Sequence, residues 1–339
     1  MIFFSLVKAE WTKTMRMRST YIAFVAVMAL VMLIEIGIYA RGDHSNLART
    51  LRAFDLKQSW VLNGYTSTQI ALFVAFGILI VPMTIMTFAR QIAGESAAGT
   101  LRVMLSRPIS RFALINAKLV VCMLYALQLM AFFFLFAYGL GVFLFGWTES
   151  VTVPNGKSLS FARISPEFKE FQKAQQEKKS SRNWLRDRMF DYKRIQAGLA
   201  IRSQLQQELK KLLISPVSCA KRLALAWLLT SWALFTFGSL GLIFSVLNRH
   251  AIAAMALTIG TFFLVLIVQV LASDENVLIP LFTSIEPYLF TKAMGYWSAC
   301  YRVDIDWHEI KRGFLLLGAY TAVFYVIAQW LFWRRDITS

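Results

Sequence analysis

Residues 113–146 have the sequence ALINAKLVVCMLYALQLMAFFFLFAYGLGVFLFG, and this nearly unbroken run of apolar side chains decides the fold class. The hydrocarbon core of a bilayer is about 30 Å thick, and a helix needs roughly 20 apolar residues to cross it. The run is longer than one crossing requires, so we expect its helix to tilt or to extend beyond the bilayer. The stretch therefore predicts a membrane-spanning α-helix.

Five further apolar runs predict five more spans, at about 20–39, 69–88, 223–246, 251–271 and 314–333. The whole chain is 57% hydrophobic and only 16% charged, whereas charged residues make up about a quarter of a soluble domain. The runs are continuous and do not alternate apolar with polar residues, which excludes a transmembrane β-barrel. The sequence thus predicts an all-α integral membrane protein with six transmembrane helices.

The N-terminal segment, residues 1–19, alternates apolar and charged residues at helical spacing. The residues that carry the pattern include Lys8, Glu10, Trp11, Lys13 and Arg16. This pattern is typical of a helix that lies in the headgroup layer of a membrane, although an ordinary basic segment next to a span has a similar composition. We expect an interfacial helix on the cytoplasmic side.

Orientation follows from the distribution of lysine and arginine near the ends of the spans. The short segments on the N-terminal side carry more of these residues than the connections on the other side, which favours cytoplasmic N- and C-termini in the cytoplasmic membrane. Glu35, the one acid inside a predicted span, is a candidate functional residue. It lies near the outer end of its span, and we expect it to reach the interface.

Residues 90–112 connect the second and third spans, and the motif that they carry extends into the third span as RQIAGESAAGTLRVMLSRPISRFALINAK, residues 90–118. Small residues at 94–99 predict a break, and residues 100–106 predict a short amphipathic helix that Thr100 caps through its hydroxyl. Leu101, Met104 and Leu105 form its apolar edge, while Arg102 projects elsewhere. Such a basic rod between two spans is suited to docking on a soluble partner; the alternative is a plain solvated loop.

These residues resemble a known family. The pattern Glu95-x-x-x-Gly99-Thr100-Leu101, then Leu105-x-x-Pro108-x-x-Arg111 and Lys118, resembles the coupling-helix region of the type-2 ABC exporter permeases, most of all the branch associated with multicopper-enzyme maturation. The N-terminal segment is similar to that family's interfacial helix. The resemblance also implies short re-entrant helices in the outer connection at about 273–312.

The resemblance implies a permease subunit of an ATP-driven exporter. Two permease chains, identical or related, would assemble with two ATP-binding cassette ATPase subunits, and those subunits would bind ATP and Mg²⁺. A coupling helix at about 91–110 would transmit closure of the ATPases to the spans. The implied contact residues are Glu95, Gly99, Thr100, Leu101, Arg102 and Leu105.

We expect no catalysis, cofactor or metal on this chain itself. The nearest fragment of a phosphate-binding loop, residues 156–158, lacks the glycine that should come five positions earlier. The acidic residues around His308, namely Asp304, Asp306 and Glu309, could hold a divalent cation through oxygen ligands. More often such a cluster is a polar loop or the start of a helix.

An insertion at residues 147–222 separates the third and fourth spans, and the topology places it outside. From residue 165 it has the pattern of a helical hairpin or a long bent helix. Its basic residues include Lys178, Lys179, Arg182, Arg186, Arg188, Lys193 and Arg194. They form either a surface for anionic lipid headgroups, an acidic cargo or an acidic extracytoplasmic protein, or a solvated helix face.

Nucleic acid is excluded as a partner, because the insertion has no recognised binding module and no aromatic residues placed for stacking on bases. Two functions therefore remain. The first is the permease described above. The alternative is a non-transporting membrane scaffold or sensor that recruits partners through the basic insertion.

Overall fold

The computed structural model describes residues 2–42, 63–106, 110–147, 150–151, 213–273, 288–301 and 305–335. Its helices are α1 (Ile2–Arg16), α2 (Arg18–Gly42), α3 (Gly64–Ala75), α4 (Val81–Ala97), α5 (Thr100–Leu105), α6 (Arg111–Phe145), α7 (Pro216–Leu247), α8 (Ala251–Ser273), α9 (Phe290–Met294) and α10 (Trp307–Arg334). A π-helical turn, Phe76–Ile80, joins α3 to α4, and a 3-10 helix, Gly295–Tyr301, follows α9.

Among the described residues, six helical segments are long and apolar enough to cross a membrane, which confirms the predicted fold class. They are Arg18–Ala40, Gly64–Ala97, Arg111–Phe145, Pro216–Leu247, Ala251–Leu271 and Trp307–Arg334. The third is a single helix of 35 residues, about 52 Å at 1.5 Å per residue, so it is longer than a bilayer core as predicted. The second span is also long, because it extends beyond both predicted ends.

The π-helical turn in the second span was not predicted. Its closing bond runs from the Val81 N–H to the Phe76 carbonyl, one residue further back than in an α-helix. Pro82 follows directly, and it has no N–H with which to continue the regular α-helical ladder. We attribute the widened turn to this proline, since π-bulges and prolines are the usual causes of local helix distortion.

The fourth span, α7, is the centre of the bundle. Of an apolar 18-residue stretch of this span 72% is buried, whereas the corresponding share is 17% in α8 and in α10. A close packing contact brings the beginning of α3 against the end of α6. A Cβ at Gly64 would lie 2.8 Å from the Val142 backbone nitrogen, so only glycine allows the two backbones to approach this closely. The outer helices α8 and α10 keep large apolar surfaces exposed.

The two ends of the bundle are defined by contacts between the helix termini. We call the end of the bundle that holds α1 and the end of α10 the termini-side end. There the Arg335 side chain donates hydrogen bonds to the carbonyls of Val246 and Asn248. At the opposite end, Arg222 Nη1 donates to the Cys300 carbonyl at 3.4 Å, next to buried Tyr65 and Tyr301, whose rings lie 5.1 Å apart. Two short segments therefore pack inside the opposite end, within the range predicted to be re-entrant.

A two-residue antiparallel pairing lies at the base of the insertion, with Ser150 opposite Ile214 and Val151 opposite Leu213. The chain thus leaves and re-enters the bundle at neighbouring points. The predicted helical hairpin and its basic surface, residues 178–194, lie outside the described residues, so both stay predictions.

The interpretation of Glu35 as an interfacial residue was wrong. Its side chain is fully buried inside the bundle, where it faces Ser67 of α3. The sequence placed Glu35 near the end of a span, but only the packing of α2 against α3 determines that the side chain points inward.

Candidate functional site

A buried cluster of four charged side chains joins α1, the end of α4 and the beginning of α6. Lys118 Nζ donates to Glu10 Oε2 at 2.9 Å and to Glu95 Oε1 at 2.6 Å. Lys13 Nζ also donates to Glu95 Oε1, and it lies 4.0 Å from Glu10 Oε2. We call these four residues the charge cluster. It links three chain segments that are far apart in sequence.

The charge cluster is balanced, with two carboxylates facing two ammonium groups. Lys118 and Glu10 are fully buried and Glu95 nearly so, while the Lys13 side chain is 36% exposed. A buried ion costs several kcal/mol of desolvation unless an opposite charge and hydrogen bonds compensate it. The arrangement is therefore stable only while all three segments stay together, which makes it a mechanical joint between α1, α4 and α6.

A serine of the fourth span forms a second joint with α4. Ser245 Oγ accepts hydrogen bonds from the N–H groups of Ile92 and Ala93 at 3.0 and 2.9 Å. It also donates to the Ala89 carbonyl at 2.6 Å. A side chain that inserts into a helical hydrogen-bond ladder in this way bends the helix and fixes its partner. The last turns of α4 are therefore fixed to α7 as well as to the charge cluster.

Two arginines extend these connections to α10. Arg335 Nη2 donates to Ser96 Oγ at 2.9 Å, and its Nη1 donates to the Val246 carbonyl at 2.6 Å. Burial lowers the pKa of the Arg335 guanidinium below its usual range, and the nearby positive charge of Arg249 adds to this effect. Arg111 Nη1 donates to the carbonyls of residues 332, 333 and 335 and so caps the end of α10.

The short helix α5 follows α4 at the termini-side end, and a left-handed residue sets its direction. Gly99 has φ 70° and ψ −3°, a conformation that costs other L-residues about 1–2 kcal/mol. Gly94 lies within α4, so the predicted break at 94–99 narrows to Ala98 and Gly99. The predicted Thr100 cap was wrong: Gly99 is the N-cap and makes no side-chain bond, while the Thr100 hydroxyl donates to the Glu95 carbonyl.

The predicted contact residues occupy two different environments. Glu95 and Leu101 are buried, so neither can form the outer contact itself; Glu95 acts through the charge cluster. Thr100, Arg102 and Val103 are exposed, with Val103 at 62%. We call these three residues the α5 surface. The Leu105 side chain lies outside the described part of the structure.

The N-terminal helix forms over Ile2–Arg16, as predicted. Lys8 and Arg16 are exposed, and Trp11 packs partly against the core. Glu10 is fully buried on the inner side of the helix. A partner on the neighbouring helix reverses the usual preference of a carboxylate for water.

Sequence reasoning missed the roles of Lys118, Ser245 and Arg335. Lys118 had a usable signal, since it is a charged residue within a predicted apolar span. Ser245 and Arg335 had none, because their partners are atoms of helices that are distant in sequence. The acidic segment before α10 is the start of a helix: Asp306 accepts from the N–H groups of His308 and Glu309. Among the described residues no group of three His, Cys, Asp or Glu side chains could hold a metal ion.

These contacts define a multi-pass helical membrane protein in which the segment before the partly exposed helix α5 is joined to several spans. Residues 4–169 match the family described as ABC-2 family transporter protein. This match covers the first three spans and α5, and over these residues the chain is similar to the membrane proteins of the ABC-2 transporter family. The match does not distinguish the branch associated with multicopper-enzyme maturation. No curated protein matches the chain.

Proposed function

We propose that this protein is the permease subunit of an ATP-driven exporter and that the α5 surface receives the movement of a partner ATP-binding cassette ATPase. The membrane subunits of this family are typically non-catalytic, so the energy would come from the partner. The family match favours this function over the scaffold or sensor. A second permease copy, identical or related, completes the proposed assembly.

The observation that carries the proposal is the set of joints behind α5. Glu95 connects the segment to α1 and α6 through the charge cluster. Ser245 connects it to α7, and Ser96 connects it to the end of α10 through Arg335. A force applied at α5 would therefore reach the third, fourth and sixth spans together. A solvated loop without coupling function would need no such connections.

The α5 surface can be tested by charge reversal. The double variant Arg102→Glu/Val103→Asp replaces one cation and one exposed apolar residue and disturbs no described internal contact. We expect the purified permease to fold normally but to lose co-purification with the ATPase subunit and the stimulation of its ATP hydrolysis. Lys311→Glu, an exposed reversal at the opposite end of the bundle, is the control and should change neither.

Normal assembly and stimulated hydrolysis in the double variant would refute the role of the α5 surface. Loss of assembly in both the double variant and Lys311→Glu would show a general effect of added negative charge and would equally contradict the proposal.

The proposed topology, with both termini in the cytoplasm, is tested by labelling Thr100→Cys with a membrane-impermeant maleimide. The native cysteines Cys122, Cys219 and Cys300 are all buried. Burial also raises the pKa of the Cys300 thiol to about 12, so it stays protonated and unreactive at the labelling pH. We expect labelling only after the cells are opened. Labelling of intact cells would place α5 outside and exclude contact with a cytoplasmic ATPase.

A further inference from the structure

A groove of about 420 Å³ lies between the beginning of α6 and the end of α10. It is separate from the charge cluster, and its walls are apolar and aromatic. Phe112, Trp330 and Trp333 are all exposed there. The lining also includes Tyr325 and Gln329. A groove of this kind at the end of two spans faces the headgroup layer of the membrane.

The rim of the groove carries two cations at the termini-side end. Arg111 lines the groove. Among the described residues, its bonds to the carbonyls at the end of α10 all come from Nη1, and its other guanidinium nitrogens take no part in them. Arg334 is held by its stacking on Trp330, with its guanidinium carbon 4.2 Å from the ring centroid. The positive charges of the two arginines are complementary to a negative lipid phosphate, and exposed tryptophans beside them are typical of the headgroup depth of a membrane.

Two residues that line the groove, Tyr325 and Gln329, have polar side chains that bond to Asn116 of α6. Asn116 Oδ1 accepts from the Tyr325 hydroxyl at 2.8 Å and from Gln329 Nε2 at 3.3 Å. The Gln329 side-chain oxygen makes no hydrogen bond to any described residue, although polar groups facing hydrocarbon are costly without a partner. Asn116 lies five residues into α6 from Arg111, about 7 Å deeper. This is the depth at which a phospholipid whose phosphate meets the rim carries its glycerol esters.

From the two arginines at its rim, the polar side chains of Tyr325 and Gln329 and its apolar walls, we propose that the groove binds an anionic phospholipid of the leaflet on the termini side. The phosphate contacts Arg111 and Arg334, the glycerol region meets Gln329 and Tyr325, and an acyl chain lies along Phe112. The proposal is independent of the ATPase contact, because no residue of the groove belongs to the α5 surface.

The test places the photo-reactive residue p-benzoylphenylalanine at position 112. The full chain is reconstituted into vesicles with equal parts of phosphatidylcholine and phosphatidylglycerol. We expect cross-linking mainly to phosphatidylglycerol, and Arg334→Gln should reduce that preference about fivefold, as expected for one cation near a membrane surface. Gln329→Leu should lower the total cross-linking of both lipids and leave the preference unchanged, because the glycerol region that Gln329 contacts is the same in both lipids. Arg18→Gln, which removes an exposed cation on the same side, should leave the preference unchanged.

The same probe at Leu264, an exposed residue of α8, reports ordinary lipid contact and should show no headgroup preference. Equal cross-linking of both lipids at positions 112 and 264 would overturn the proposal, because the groove would then hold only bulk lipid. Cross-linking of position 112 to a second copy of the chain would also overturn it and would identify the groove as a protein interface. Cross-linking at 264 with none at 112 would refute lipid occupancy.

Discussion

Replacing Lys118 with methionine should destabilise the protein strongly. Methionine keeps a similar length but leaves Glu10 and Glu95 with only the partly exposed Lys13 as a counter-charge. At contact distances of 2.9 and 2.6 Å, an effective dielectric constant of 20 gives an attraction of about 6 kcal/mol for each pair. Desolvation offsets much of this attraction, and removing one partner of a buried ion pair typically costs about 3–5 kcal/mol.

The assay is unfolding of the purified protein in mixed micelles with increasing amounts of a denaturing detergent. We expect Lys118→Met to lower the free energy of unfolding by about 3–5 kcal/mol. Lys8→Met, which removes an exposed lysine of the same N-terminal helix, is the matched control and should change it by less than about 0.5 kcal/mol. A large loss in both variants would point to a nonspecific effect of losing a cation.

The double variant Lys118→Met/Glu10→Gln distinguishes charge balance from packing. It removes one charge of each sign and leaves the Glu95–Lys13 pair, so it should be more stable than Lys118→Met alone. A double variant no better than the single one would refute the electrostatic explanation. A single variant as stable as the wild type would refute the charge cluster as a joint.

Three further substitutions test other contacts. Ser245→Ala leaves the N–H groups of Ile92 and Ala93 without their partner, and we expect the free energy of unfolding in mixed micelles to fall by about 1–3 kcal/mol; an unchanged value would contradict the second joint. Gly99→Val forces a β-branched residue to φ 70°, so it should reduce ATPase stimulation by the assembled complex, while Gly99→Asn should retain it; equal activities would refute the geometric requirement. Gly64→Val would place a side chain against Val142 and should abolish the yield of folded protein in gel filtration. The control Gly77→Ala, with no atom within 4 Å of the added Cβ, should keep that yield. A normal yield of Gly64→Val would refute the close approach of the two helices.

Much of the fold follows from composition alone. A run such as residues 113–146 can satisfy its backbone in a bilayer only as a helix, and this requirement is local, so six spans were predictable and are present. The end of the second span was harder to predict. A break was predicted at residues 94–99, but the helix continues to Ala97, and Ser245 and Lys118 from other spans provide partners for its last turns.

Parts of the candidate site likewise follow from the local sequence, and the other parts follow only from the packing of the helices. The sequence by itself determined the spans and the N-terminal helix, because these depend on local apolar runs and periodicity. It also determined the short helix after the second span, whose direction depends on the left-handed conformation of Gly99. Tertiary structure alone decided that Glu10, Glu95 and Lys118 share one buried cluster and that Glu35 points inward. Burial and charge pairing depend on which helices meet, and residues 108 positions apart, such as Glu10 and Lys118, carry no local signal of that encounter.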